Sequence, residues 1–398
     1  MLVPALLTLS LSLVGPTRAD TLYPLIEYAG TSFFDGFDFY GAWDNLTHGN
    51  VTYVTDTVAR SSSLVSVDGS GRAVMRVDNT STVADGGTRN SVRVTSRAVF
   101  PIGSVFVADM AHMPTGCSVW PSIWLNGILA PGDVWPDAGE IDLLEGINKM
   151  TTNQFSLHSP AGCSQNQSIT QLGSPIASQS NCNTTKGCSV TGLPDSFGAP
   201  FNSAGGGVYA LQFDVSGIYM WTWPRASVPQ SISQATSGGP LTKDATWGSA
   251  VAAYVGGATC NIAKSFGAQQ LVINIALCGD WAGEPGIYAS SGCPAGTCYG
   301  ANVVGNGSNY GDAYFAFNYI RVYSESPGAS VAGSSSAGPG SGPGSGSTGS
   351  GPAKTQSAAV NAPTTGAPAP SGTSPAGELR AGIVTVGILL CVSVLLAL

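Results

Sequence analysis

Basic residues are scarce in this sequence. Fifteen Lys and Arg in 398 residues, with no basic run, leave a formal net charge of −8. That argues against nucleic acid and against sulfated or other polyanionic polymers as partners, since little would neutralise their charge. Histidine occurs three times. No Cys-Cys-His cluster has zinc spacing, so no metal site is expected. Between residues 20 and 325 there is no long amphipathic helical pattern and no internal repeat, which removes helical bundles and solenoids. Residues 326–380 lack aromatics altogether.

Both ends read as processed segments. Residues 1–19 form an apolar run with small residues at its end, the pattern of a secretory signal peptide. Residues 326–380 are Ser, Gly, Pro, Thr and Ala, too poor in apolar surface to fold, and read as a disordered stalk. Residues 381–398 are apolar again. A small-residue spacer followed by such a tail is the pattern of a glycolipid-anchor signal. The expected location is therefore extracellular, with the membrane reached only through that anchor at the cell surface or wall. Eight of the nine cysteines fall in residues 20–325, and the ninth, Cys391, is in the tail. An even number in a secreted chain implies up to four disulfides. Cys182–Cys188 and Cys293–Cys298 are close enough for local loops. Six Asn-x-Ser/Thr sequons, at Asn45, Asn50, Asn79, Asn166, Asn183 and Asn306, agree with a secretory route.

Strand signals dominate residues 20–325. Ser91–Phe100 and Ser104–Met113 are alternating runs joined by Pro-Ile-Gly, and Val208–Pro224 holds two more about a Ser-Gly turn. Gln270–Ala276 and Ala313–Tyr323 are further strands. The class is all-β, and a two-sheet sandwich is the natural solution at this size.

Within this background stands PDAGEIDLLEG, residues 136–146. It places Glu140, Asp142 and Glu145 in otherwise apolar strand sequence, where unpaired charge is costly. Strand side chains alternate, so Glu140 and Asp142 share a face. Regular alternation turns Glu145 to the other face. A β-bulge at Leu143–Leu144 would return it to the first. In that case two Glu flank an Asp, the equipment for glycoside hydrolysis by a nucleophile and a proton donor. Repulsion between close carboxylates would keep one protonated while the other is ionised.

GEIDLLEG resembles the bulged Glu-x-Asp-x-x-Glu signature of family-16 glycoside hydrolases. The stretches 108–127, 134–148, 156–163, 278–283 and 313–323 resemble, in order, the fungal laminarinase branch of endo-1,3(4)-β-glucanases. The resemblance implies a β-jelly-roll sandwich with a concave substrate cleft and retaining hydrolysis of β-glucan by a monomer that needs no cofactor. It maps Glu140 to the nucleophile, Glu145 to the acid/base and Asp142 to the assisting carboxylate. It places His158, on the strand after the acidic motif, in a supporting catalytic role. It also assigns Trp124, Trp135 and Trp281 to substrate binding in the cleft. Trp221 and Trp223 gain no role from it, and His48 and His112 are read as structural. Asp133 and Asp137, which flank Trp135, are solvated loop acids or weak calcium ligands. Two rivals remain. A cell-wall transglycosylase would use the same covalent intermediate, although such relatives usually carry the unbulged spacing. A non-catalytic glucan-binding protein would have lost the Glu pair, which this chain keeps.

Overall fold

The computed structural model describes residues 19–166 and 168–332. The leader up to residue 18, most of the stalk and the apolar tail lie outside the described residues. No described helix is long and apolar enough to cross a membrane.

The expected strands form. Gly207–Asp214 and Gly217–Pro224 pair as a hairpin about the Ser-Gly turn, and Gln269–Leu277 and Tyr314–Ser324 are long strands. Arg93–Ser96 and Ser104–His112, either side of the Pro-Ile-Gly link, do not pair with each other. The first enters one sheet and the second the other.

Two antiparallel sheets face each other as a jelly roll. One has nine strands: seven run from Leu241–Lys243 through Asp20–Ala29, Tyr314–Ser324, Ser104–His112, Gly207–Asp214 and Gly217–Pro224 to Ala252–Val255, and Ala73–Arg76 and Val65–Val67 branch off Tyr314–Ser324. The other has eight, in the order Ser174–Pro175, Cys188–Thr191, Gln154–His158, Glu140–Glu145, Val119–Gly127, Gln269–Leu277, Arg93–Ser96 and Phe37–Phe39. Alternate residues of the inner faces interdigitate between the sheets. Ile123, Leu125, Ile141, Phe155, Leu157, Ile273 and Ile275 meet Phe106, Ala108, Met110, Tyr209, Leu211 and Ile320 in one buried cluster.

The nine-stranded sheet is covered on its outer side too. Val105, Val107, Val208, Ala210 and Trp221 pack there beneath Ile232, Leu241 and Trp247. Trp247 meets both Trp221 and Trp223 edge-on, at 5.4 and 5.5 Å. Those two tryptophans of the hairpin therefore build a second core, away from the eight-stranded sheet. On the outer face of the eight-stranded sheet a small cluster packs, Trp120, Ile147, Ala276 and Ala282, and the rest of that face carries mainly polar side chains.

All eight domain cysteines are paired, as Cys117–Cys293, Cys163–Cys260, Cys182–Cys188 and Cys278–Cys298. The local loop at Cys182–Cys188 forms. Cys293–Cys298 does not, because each of these two reaches a separate part of the chain. Arg89 is fully buried without a carboxylate. Its guanidinium donates to the carbonyls of Asp78, Ser81, Val303 and Gly305, tying two loops together.

Candidate active site

The strand Glu140–Glu145 is bulged. It pairs with Val119–Gly127 through Glu140–Asn126, Ile141–Leu125 and Asp142–Trp124, and then shifts to Leu144–Ile123 and Glu145–Ser122. Leu143 is the extra residue. Ile141, Leu143 and Leu144 all enter the core between the sheets. Glu140, Asp142 and Glu145 lie opposite Asn126, Trp124 and Ser122, which alternate along one face of the neighbouring strand. The three carboxylates therefore share one face, the outcome expected of a bulge at Leu143–Leu144.

A bulge interrupts the ladder and leaves backbone groups without strand partners. Asn153, fully buried, supplies them. Its Nδ2 donates to the Leu143 carbonyl at 3.1 Å, and its Oδ1 accepts from the Glu145 N–H at 2.9 Å. One side-chain amide thus bridges the irregularity from both sides.

Each carboxylate has its own surroundings. Trp135 Nε1 donates to Glu140 Oε2 at 2.9 Å, and Trp120 Nε1 donates to Glu145 Oε1 at 2.9 Å. Asp142 lies between them, 4% exposed, and its Oδ2 makes no hydrogen bond. His158 pairs with Glu140 across the strands. Its Nε2 is 3.4 Å from Asp142 Oδ2 and 3.8 Å from Glu140 Oε1, while Nδ1 lies 3.2 Å from the Thr184 carbonyl. The turn carrying Thr184 is closed by Cys182–Cys188 and packs tightly on the imidazole. A Cβ at Gly187, where φ is +64°, would fall 2.9 Å from His158 Nε2.

Burial is the main cause that raises all three carboxyls, each to about 8. The Asp142 charge pushes Glu140 and Glu145 up further. For Glu140, His158 and then the Trp135 N–H act in the opposite direction. For Glu145, the Trp120 N–H is the main opposing influence. Values near 8 bring proton uptake and release at this strip close to neutral pH, within reach of acid and base chemistry.

The cleft aromatics divide by exposure. Trp135 is 44% exposed and its ring lies 5.2 Å from that of His158. Trp124 is mostly covered, with its Nε1 donating to Asn274 Oδ1 at 2.7 Å. Trp281 is partly buried, edge-on to Trp120 at 5.6 Å. Asp133 and Asp137 cap turns of the loop that presents Trp135, accepting from the N–H groups of Ala130 and Val134. His112 stacks on Tyr314 at 3.8 Å, and His48 pairs with Asp280 on the surface.

Three features were not read from the sequence. Asn153 is one. The others are Arg93 and Asn274, which continue the row Glu145–Ser122 across two more strands. The Arg93 guanidinium lies over the rings of both Tyr40 and Trp124, at 4.7 and 5.2 Å, and has no carboxylate partner among the described residues. An arginine inside the alternating run Ser91–Phe100 was the available signal. Only the register reveals that it shares a row with Glu145.

A family profile described as "XgeA-like, catalytic GH16 domain" matches residues 37–323. A probable endo-1,3(4)-β-glucanase of Aspergillus niger is 38% identical over 336 residues, covering 81% of this chain and 43% of that protein. A probable glycosidase of Schizosaccharomyces pombe is 37% identical over 317 residues, covering 77% of this chain and 71% of that one. Among solved structures, laminarinase 16A of Phanerochaete chrysosporium, with 6-O-glucosyl-laminaritriose in donor and acceptor sites, is 34% identical with a TM-score of 0.68. The match covers 76% of this chain and 99% of that one. An elongating family-16 β-1,3-glucosyltransferase is also 34% identical, with a TM-score of 0.67 and coverage of 76% and 100%. This chain spans about half the length of the first curated glucanases it matches.

Two predictions follow from this geometry. Asn153→Ala strands a buried carbonyl and a buried N–H, so denaturant unfolding should register a loss of about 2–4 kcal/mol. An unchanged midpoint would mean that the bulge holds without its clamp. The second concerns pH. Folded Asp142 binds its proton up to about 8, whereas the unfolded group releases it near 4. Native stability from this group is therefore full below about pH 4 and is lost as pH rises towards 8. Asp142→Asn removes that loss, so its stability relative to the parent should climb across this range. A difference that stays flat in unfolding at several pH values would contradict the burial of a raised carboxyl.

Proposed function

This chain belongs to glycoside hydrolase family 16, in its XgeA-like branch, and on that premise we propose an endo-acting, retaining β-glucanase. The substrate is β-1,3-glucan, mixed β-1,3/1,4-glucan, or both. One observation carries the reading: Glu140 and Glu145 flank Asp142 on one cleft face, each held by an indole N–H.

Glu140 is the nucleophile and Glu145 the acid/base. The assignment follows the family pattern. His158 Nε2 lies 3.8 Å from Glu140 Oε1 and the Trp135 indole N–H bonds Oε2, so both oxygens of Glu140 are held in place. Glu145 is held by the Trp120 indole N–H on the opposite side of Asp142. In the first step a Glu140 carboxylate oxygen bonds to the anomeric carbon, the glycosidic bond breaks, and the departing oxygen takes the Glu145 proton. In the second, water attacks the anomeric carbon, Glu145 accepts its proton, and Glu140 is released. Asp142 and His158 position and polarise Glu140. Trp135 and Trp124 offer ring faces to sugars, with Trp281 further along the cleft. Arg93 and Asn274 offer N–H donors to sugar hydroxyls. The working form is a monomer, and this chemistry requires no cofactor.

Transglycosylation is a second reading. Its support is the glucosyltransferase, which resembles this chain as closely as the laminarinase does. Products longer than the starting laminari-oligosaccharide would favour it; shorter products alone would favour hydrolysis.

The catalytic roles can be read from stereochemistry. Glu140→Ala and Glu145→Ala should each lower hydrolysis of laminarin at least ~10³-fold, an order expected for loss of a nucleophile or general acid. With an activated β-glycoside and azide, Glu140→Ala should yield the α-glycosyl azide by direct attack. Glu145→Ala should yield the β-glycosyl azide through the covalent intermediate. Reversed configurations would exchange the two roles, and undiminished activity in both variants would remove these residues from catalysis.

We further propose secretion and glycolipid anchoring, on the leader, spacer and tail patterns. A phospholipase specific for such anchors should release the protein from membranes. Detection of a Cys391 peptide in the mature protein would refute removal of the tail.

A further inference from the structure

We propose that Glu140, Asp142 and His158 form a binding site for a late first-row divalent cation, zinc or copper(II), whose occupancy reversibly stops hydrolysis. The inhibitory half of this statement rests on the function proposed above; the binding half does not.

One ligand atom from each residue falls within 4.8 Å of the other two. The imidazole is set for coordination. Its Nδ1 faces the Thr184 carbonyl at 3.2 Å. A carbonyl only accepts, so Nδ1 carries the proton and neutral His158 presents a lone pair at Nε2. Metal-binding histidines are commonly oriented in this way, with the second ring nitrogen donating to a backbone carbonyl. Nε2 points at Asp142 Oδ2, 3.4 Å away, and at Glu140 Oε1, 3.8 Å away.

The carboxylates are also set. Asp142 is 4% exposed, and Oδ2 is a buried acceptor with no hydrogen bond. Trp135 occupies Glu140 Oε2, which leaves Oε1 facing His158. A tetrahedral ion with bonds of 2.0–2.1 Å holds its ligand atoms roughly 3.4 Å apart. The Asp142–His158 distance already has that value, the Glu140–His158 distance exceeds it by a few tenths of an ångström, and the Glu140–Asp142 separation, within 4.8 Å, closes by rotation of the Glu140 side chain. The Cys182–Cys188 turn and Gly187 back the imidazole, so the ligands are held before an ion arrives.

The donor set selects the class of ion. One imidazole and two carboxylates suit zinc and copper(II). Calcium takes six to eight oxygens, and magnesium requires near-ideal octahedral geometry, so both fit poorly here. A cation would also relieve the repulsion between the two acids. The Glu140 side chain is 15% exposed, leaving a coordination position on the cleft side for water or a sugar hydroxyl. An ion on Oε1 engages the lone pair that would attack the anomeric carbon. Inhibition should therefore be competitive with glucan.

The test uses the full chain. Zinc chloride is titrated calorimetrically near neutral pH in a non-coordinating buffer, and copper(II) is followed by electron paramagnetic resonance. The expected result is one site, with nitrogen hyperfine structure from a single imidazole. His158→Gln should weaken zinc at least ~10-fold, by analogy with losses in metal shells. Asp142→Asn should also weaken it, and covers the case in which His158→Gln fails to fold. Glu145→Gln and His48→Gln, which leave all three ligands in place, should retain affinity within about 3-fold. Zinc should slow laminarin hydrolysis, chelator should restore it, and more laminarin should raise the zinc needed. Absence of a calorimetric signal, or unchanged affinity in both His158→Gln and Asp142→Asn, overturns the site. Stoichiometric, His158-dependent binding to a protein that never hydrolyses glucan upholds the site and instead overturns the glucanase reading.

Discussion

Everything at this site depends on the side-chain amide of Asn153. A strand that must face a hydrophobic core with one side and a cleft with the other has a period of two. The sequence Glu-x-Asp-x-x-Glu breaks that period once. The break is tolerable only if the backbone groups it frees find partners away from water. Asn153 gives an acceptor to one and a donor to the other. Both leucines can then remain in the core while Glu145 rejoins Glu140 and Asp142. Without that bridge the same residues would have to choose between burying a glutamate and exposing a leucine.

The arrangement sets stability against reactivity. Burial on a largely dry strip raises the affinity of all three carboxyls for protons and weakens the fold as the pH climbs. The surrounding structure absorbs this through two packed cores, four disulfides and the carbonyl cage around Arg89. Polar residues that would neutralise the strip are few. Two indole N–H groups and one imidazole orient the acids without removing their charge. This selectivity keeps the acids chemically available.

Much of the site was legible because it is local. The spacing of Glu140, Asp142 and Glu145 implied a bulge once a shared face was required, and the alternating runs identified the principal strands. His158 could be placed because it lies one turn beyond the acidic strand. What escaped depends on register between distant segments. Arg93 and Asn274 reach the Glu145 row only because three strands align as they do. Asn153 looks like any turn residue until the bulge gives it two partners. The pairing of Cys117 with Cys293 spans 176 positions, and no local pattern distinguishes it from the shorter alternative to Cys298. Trp221 and Trp223 lie in a strongly alternating hairpin, but only the packing of residues 225–250 shows that they are covered by a second core.

The cleft floor is also a ruler. Glu145, Ser122, Asn274 and Arg93 stand side by side on four adjacent strands. Neighbouring strands are about 4.8 Å apart, so Arg93 lies roughly 14 Å from the Glu145 strand. One strand spacing is close to the length of one sugar ring in an extended chain. A glucan laid across the strands would therefore advance about one ring per strand, and the hydrogen-bonded sheet would count its sugars. In that direction the row reaches the Phe37–Phe39 edge strand, after which the Tyr40 ring packs against the Arg93 guanidinium. Loop changes can alter which rings are preferred at each mark, while the interval between marks stays set by the backbone.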